Sequence, residues 1–333
     1  MPRCAASRAP RARLTVTHWT EVRSWKCSPA QAYEFNWHWL PHVEDGFVPT
    51  NEAIARRKNR MTHFTVLGGG GFIGKELVAS LKERSGATVY APSRDDGIDI
   101  SGAILGRDLG HVFYCIGLTA SFRSRPFDTV EAHVCLLRRL LGEGRFDSLT
   151  YLSSTRVYEG AATTNESAVL QVSPNNPEHL YNLSKLMGES LSLSSGHTTR
   201  VARLSNVFGR AMPPQNFIGQ VLTEAKKTGH VRFLTAPQSV KDYVSVTDII
   251  RWLPQIAQQG SLTIYNLASG ENTSNAEIAF LLEQKGVAVT YAVDAPEWSF
   301  PIVDTGRLAK EFGTAQFSLS SEFDYLFSCF QHD

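Results

Sequence analysis

The 333-residue sequence predicts an α/β chain built on a doubly wound parallel sheet, with a smaller region after it. Three observations predict this. Short apolar runs alternate with longer segments whose apolar positions recur at helical spacing. The first such run ends in four consecutive glycines, Gly68 to Gly71, and opens directly into a helical pattern. No internal repeat, low-complexity tract or bilayer-length apolar stretch interrupts the alternation. Strands joined through helices run parallel, and right-handed crossovers between them give an open sheet covered on both faces.

The elements follow in order. Phe64–Leu67 reads as the first strand. Phe72–Leu81 reads as a helix, with Ile73, Leu77, Val78 and Leu81 on one side. Thr88–Ala91 is a second strand and Val112–Ile116 a third, buried one. Val130–Leu141 reads as a helix carrying Val134, Leu137 and Leu141. Leu149–Leu152 and Val201–Leu204 are two further strands. After Phe208 the alternation weakens. Pro213-Pro214 and several short segments then predict a smaller region packed against the sheet.

Residues 1–60 differ from the remainder. They carry ten Lys/Arg and five Asp/Glu, which leaves 33 − 10 = 23 basic and 32 − 5 = 27 acidic residues for the rest. Trp19, Trp25, Trp37 and Trp39 lie there too, and Arg3, Arg8, Arg11 and Arg13 precede the first acid, Glu21. A transit peptide fits that pattern. The preferred reading is an atypical extension, poorly ordered or a gene-model artefact, because Met61 stands just before the first clear strand. The net charge of +1 argues against nucleic acid as a partner. Five cysteines with no C-x-x-C pair argue against a disulfide framework or a zinc site, so no metal is expected. A reducing compartment, the cytoplasm, fits best, with no membrane attachment.

Gly68, Gly71 and Gly74 form G-x-x-G-x-x-G between a strand and a helix. A tight turn there needs positive φ, and a pyrophosphate must approach bare backbone. The helix opening at Phe72 and Ile73 points free N–H groups and its positive end at those phosphates. The context is that of a dinucleotide site, and the sheet is therefore expected to be Rossmann-type. The second strand runs out into Ser93 and Arg94 rather than into an acid. A hydroxyl and a guanidinium suit a ribose 2′-phosphate, so NADP(H) is favoured over NAD(H). The alternative gives Asp95 or Asp96 the acidic role. Asp99 and Ile100, at the end of a further strand, are expected to border the adenine.

Tyr181 and Lys185 stand at i and i+4, on one face if the segment is helical. A free phenol with a pKa near ~10 is a poor base at neutral pH, and a neighbouring ammonium lowers it. Lys185 also suits the ribose hydroxyls. Upstream, Ser153-Ser154-Thr155 closes a strand, where a hydroxyl faces the ligand crevice or caps the next helix.

These stretches, taken in order, resemble the extended short-chain dehydrogenase/reductase family of the NAD-dependent epimerase/dehydratase type, over residues 64–333. Val66–Gly74 resembles its nucleotide loop, and Leu152–Tyr158 the strand that carries its catalytic hydroxyl, which falls on Ser154. Tyr181 and Lys185 match its Tyr and Lys. Arg203–Gly209 resembles a segment whose Asn, here Asn206, touches substrate. Lys241–Asp248 resembles a segment whose basic residue, here Lys241, binds the diphosphate. Tyr265–Gly270 resembles a late strand. The resemblance implies a dinucleotide-binding part, mainly residues 61–205, and a substrate-binding part, mainly 206–333. It implies hydride transfer on a nucleotide-linked sugar and a homodimer formed by helices near Val130–Leu141 and Leu180–Leu193. Thr155 and Arg156 stand where dehydrating members place Asp and Glu, which disfavours elimination. The expected activity is therefore 4-keto-sugar reduction. The alternatives are a nucleotide-sugar epimerase, a reductase of apolar ketones, and a silent NADP-binding regulator.

Overall fold

In a computed structural model the described residues are 61–93, 102, 104, 106–119 and 121–330. The expectations for residues 1–60, Arg94, Asp99 and Ile100 fall outside them. Strand β1 (Thr62–Leu67) leads through the glycine turn into α1 (Phe72–Lys82), then β2 (Ala87–Tyr90) and β3 (His111–Tyr114). The helical segment predicted over Val130–Leu141 is not one regular helix. It divides into α2 (Pro126–Val130), a π-helical turn (Glu131–Cys135) and α3 (Leu136–Glu143). Its apolar spacing recorded burial, not the wider turn inserted in the middle. Strand β4 (Ser148–Ser154), a 3-10 turn (Thr155–Tyr158), α4 (His179–Ser194) and β5 (Thr199–Leu204) follow.

Later come β6 (Asn206–Phe208), α5 (Phe217–Thr228), β7 (His230–Phe233), β8 (Val240–Ser245) and α6 (Val246–Gln259). The chain ends through β9 (Ile264–Leu267), β10 (Asn272–Ser274), α7 (Asn275–Glu283), β11 (Ala288–Tyr291), α8 (Gly306–Phe312) and α9 (Leu319–Cys329). Among the described residues the strands form three sheets. The main one has six parallel strands in the order β2-β1-β3-β4-β5-β9. Because β1 pairs with β2 on one side and β3 on the other, the order reverses there and a crevice opens at the strands' carboxyl ends.

Alternation along the strands sends side chains to two cores. Phe64, Val66, Phe113 and Leu152 meet Trp252 and Ile256 of α6 and Leu77 of α1. Leu67, Val112, Tyr114 and Tyr151 meet Leu136, Leu137 and Leu140 on the opposite face. A third core, around Phe208, Leu222, Ile278 and Phe323, holds the C-terminal region. The regions interleave in sequence, since β9 and α6 return from the later half to complete the main sheet.

Two glycines set how closely α1 lies on the sheet. Gly68 has φ +86°, and a Cβ there would lie 2.9 Å from the Cys115 carbonyl carbon. A Cβ on Gly74 would lie 2.3 Å from the Gly68 oxygen. Backbone, unlike a flexible side chain, has no way to give. Gly74→Ala is thus expected to cost roughly 1–3 kcal/mol of stability by overpacking. Denaturant titration and a dinucleotide-binding isotherm check this: both stability and affinity should fall together.

Candidate active site

A cleft of about 1080 Å3 opens across the carboxyl ends of the central strands. Gly71, Phe72, Ile73 and Gly74 line one end. Gly71 caps α1 with extended backbone, no side chain caps that helix, and its first turn holds no acid. A Cβ on Gly70 would meet nothing within 4 Å, so the turn is bare on its outer side. Free N–H groups, a positive helix end and the absence of side chains fit a dinucleotide pyrophosphate. Ser93 lies just beyond β2. Its companions in the NADP(H) expectation lie outside the described residues.

Helix α4 presents Tyr181, Lys185 and Glu189 at successive i+4 steps, all buried against β4 and β5. The Tyr181 phenol shares the cleft wall with the hydroxyls of Ser154 and Thr119. Burial raises its pKa above the ordinary value, opposed by those two neighbouring hydroxyls and by the nearby charge of Arg156. Ser154 ends β4, and its Oγ accepts the Arg156 N–H at 3.2 Å. The hydroxyl therefore both caps the turn and faces the phenol. Lys185 Nζ donates to the Leu152 carbonyl at 2.8 Å and lies 5.9 Å from the Tyr181 ring centre. Burial pulls its pKa down to about 8, while Glu189 and Cys115 act in the opposite direction.

Several groups on the cleft wall had no motif to announce them. Thr119 lies in the loop after β3, and the fold brings it to the same cleft wall as Tyr181. The Arg156 guanidinium carbon lies 5.7 Å from the Tyr181 ring centre and 5.1 Å from that of Phe122. It donates to Glu178 at 2.9 Å, and Glu178 also accepts two hydrogen bonds from Arg123, one on each oxygen. Those hydrogen bonds, Arg123 first, hold the Glu178 carboxyl at about 2. Glu159 stands 3.8 Å from Arg156. So the fold does place three carboxylates on the cleft wall, Glu159, Glu178 and Asp242, although none follows Ser154 directly in sequence. Glu159 and Glu178 face arginine.

At the far end Asn206 opens β6 and donates through Nδ2 to the Asp242 carbonyl at 2.8 Å. Lys241 extends along Phe217, with Nζ 4.1 Å from that ring centre and 5.2 Å from that of Trp298. Burial lowers its pKa. Among the described residues it makes no ion pair, so its charge is open to an anion. Asn206 and Lys241 share the cleft with Ser154, Tyr181 and Lys185.

Burying the Lys185 ammonium opposes folding. Lys185→Met is expected to leave a folded chain at least as stable as the parent below pH 8. A lysine with a lowered folded pKa costs stability while protonated, and that cost fades as pH rises from about 8 toward the unfolded value of 10.5. Denaturation midpoints of parent and variant should therefore converge over that interval. A gap that widens with pH contradicts the assignment.

Comparison with known proteins gives the family and the fold. The sequence is 25% identical over 292 residues to a dTDP-glucose 4,6-dehydratase of Streptomyces griseus, covering 76% of this chain and 89% of that one. Its fold is similar to UDP-glucuronic acid 4-epimerase of Bacillus cereus, solved with NAD and a UDP-sugar analogue, with TM-score 0.68 and 17% identity over 80% of this chain and 98% of the other. It is also similar to RMD of Pseudomonas aeruginosa, solved with NADPH, with TM-score 0.66 and 19% identity over 81% and 99%. The profile of the NAD dependent epimerase/dehydratase family matches residues 64–268, and the chain belongs to that family.

Proposed function

We propose that this chain is an NAD(P)-dependent oxidoreductase acting on a nucleoside-diphosphate sugar, as a 4-keto-sugar reductase. One observation carries the reading: a buried phenol beside two hydroxyls stands in one cleft between a bare glycine turn and Lys241, which has no ion pair among the described residues. A bound nicotinamide supplies or accepts the hydride there. The Gly68–Gly74 turn holds the pyrophosphate and Lys185 the ribose. NADP(H) is the preferred cofactor, on Ser93 and Arg94.

The Tyr181 phenol, whose pKa burial raises above its ordinary value, acts as general acid toward a ketone oxygen. Ser154 aligns the same oxygen, and Lys241 with Asn206 holds the nucleotide end. Residues 61–205 then act mainly on the dinucleotide and 206–333 mainly on substrate. A homodimer is proposed through the segments near Val130–Leu141 and Leu180–Leu193, where Val130, Met187 and Leu193 are exposed. A cytoplasmic setting accords with that.

The nucleotide-sugar epimerase is the second reading. It draws on the same side chains, and the likeness to a UDP-glucuronic acid 4-epimerase supports it. Elimination is disfavoured because Glu159 and Glu178 are engaged by arginine and Asp242 is engaged by Ser205, Ser269 and Gly270. A silent regulator needs none of the Ser154, Tyr181 and Lys185 set.

Incubation with NADPH or NADH and a panel of nucleotide-linked 4-keto sugars, followed by loss of reduced-cofactor absorbance, tests the proposal. NADPH consumption is expected. Cofactor binding without consumption, with stereochemical exchange of the unoxidised sugars, establishes the epimerase instead. Tyr181→Phe is expected to lower turnover by at least about 100-fold while leaving the dinucleotide dissociation constant within about threefold. Retained turnover removes Tyr181 from the chemistry.

A further inference from the structure

Behind Tyr181 lies a histidine that the chemistry above does not use. His133 is fully buried in the middle of the π-helical turn. A π turn frees backbone groups from the regular ladder and needs outside partners for them. Here the sheet supplies those partners. The Tyr114 hydroxyl donates to the Ala132 carbonyl at 2.6 Å, and the Tyr151 hydroxyl to the His133 carbonyl at 3.3 Å. Gly188 lets α4 lie directly on this turn, since a Cβ there would come within 2.9 Å of the His133 oxygen and 2.3 Å of the Tyr151 hydroxyl.

Both ring nitrogens are engaged, and their roles follow by elimination. Leu118 N–H lies 3.2 Å from His133 Nε2. A backbone N–H only donates, so Nε2 carries a lone pair. A neutral ring then has its proton on Nδ1, which donates to Ser184 Oγ at 2.8 Å. Ser184 has one proton, and it goes to the Tyr181 carbonyl at 2.9 Å. The bonds thus run in one direction, from the loop after β3, through the imidazole and a serine, to the backbone of Tyr181. The ring also meets the Tyr181 ring edge-on, 5.4 Å between centres. A Cβ on Gly117 would lie 3.2 Å from His133 Nε2 and 3.4 Å from Lys185 Nζ, so loop, imidazole and ammonium converge. A second proton on this ring would break the Leu118 bond and face Lys185. Burial first, and Lys185 second, press its pKa down to about 2.

We propose that His133 is a positioning residue: as the neutral, Nδ1-protonated imidazole it fixes the Gly117–Thr119 loop against α4 and so keeps the Thr119 hydroxyl beside the Tyr181 phenol on the cleft wall. The proposal rests on the acid role of Tyr181 given above, but its first two tests need no substrate. Other titratable or charged groups near Tyr181 are Arg156 from the 3-10 turn, Tyr151 from β4 and Lys185 from α4 itself. All three are left intact.

The first measurement is a nitrogen–proton NMR correlation of the full chain labelled at histidine, from pH 5 to 9, with His133 assigned by loss of its signals in His133→Gln. An Nδ1–H pattern that does not titrate is expected. An Nε2–H pattern, or titration in that range, overturns the proposal. The second follows tyrosinate absorbance as the difference between the parent and Tyr181→Phe, then repeats it in the His133→Phe background. His133→Phe keeps ring volume but neither nitrogen, and losing the Thr119 contact should move the Tyr181 titration upward by about half a unit or more. An unmoved titration in a folded variant overturns the proposal. Thr119→Val serves where His133→Phe does not fold: it should reproduce the shift, and its absence is equally fatal. Where turnover is measurable, His133→Phe should lower kcat about 10–100-fold with cofactor KM within about threefold. His133→Gln, which can donate and accept at similar reach, should recover most of it. Absent turnover in the parent itself defeats the proposed function and leaves the NMR and titration results standing.

Discussion

Burial of a polar stripe is the constraint on which the site depends. Tyr181, Lys185 and Glu189 occupy the face of α4 that lies on β4 and β5, where apolar residues would ordinarily sit. Glu189 is satisfied by Arg203 of β5, at 2.6 Å from Nη2 and 3.0 Å from Nε, and by the Ser153 hydroxyl. Arg203 continues to the Tyr158 hydroxyl at 2.8 Å, and Tyr158 to Asn266 of β9 at 2.8 Å. A buried ion pair adds little net stability over apolar packing, yet breaking one costs about 3–5 kcal/mol. Its effect here is specificity. It locks α4 in rotation and height, and Tyr181 stands two turns further along the same face.

That lock leaves the electrostatics of the site in tension. Desolvation keeps the Tyr181 phenol neutral and pulls the Lys185 ammonium toward neutrality. The opposing charges come from different elements: Arg156 acts on the phenol, and Glu189 on the ammonium. Arg156 is in turn held by Glu178, which Arg123 also grips. The environment of the phenol is thus set from the 3-10 turn after β4 and from the entry to α4, as well as from its own helix. His133 adds a wholly uncharged support from behind.

The substrate end is organised around another buried acid. Asp242 of β8 accepts from Ser205, from the Ser269 hydroxyl and backbone N–H, and from the Gly270 N–H. Four donors on one carboxylate tie the ends of β5, β8 and β9 together. Its chain neighbour Lys241 and its carbonyl partner Asn206 then reach the cleft side by side. Lys241 is stiffened between two aromatic rings, which keeps a flexible stem pointed at the cleft.

Much of this was legible along the chain. The alternation of strand and helix, the glycine turn at Gly68–Gly74 and the Tyr181–Lys185 spacing are local, and local geometry is what periodicity encodes. The π-helical turn within Val130–Leu141 was not legible, because apolar spacing reports which face is buried and not how many residues complete a turn. Thr119, the Arg156–Glu178–Arg123 cluster and His133 were equally silent. Each acquires its role through partners about twenty to sixty residues away, across a sheet whose register no single segment contains. The sequence by itself determined the fold class, the dinucleotide turn and the paired phenol and ammonium, since each is a short-range pattern. Only the tertiary structure decided which charges and hydroxyls surround that phenol, because hydrogen bonds and desolvation act between atoms that the folded sheet alone brings within reach.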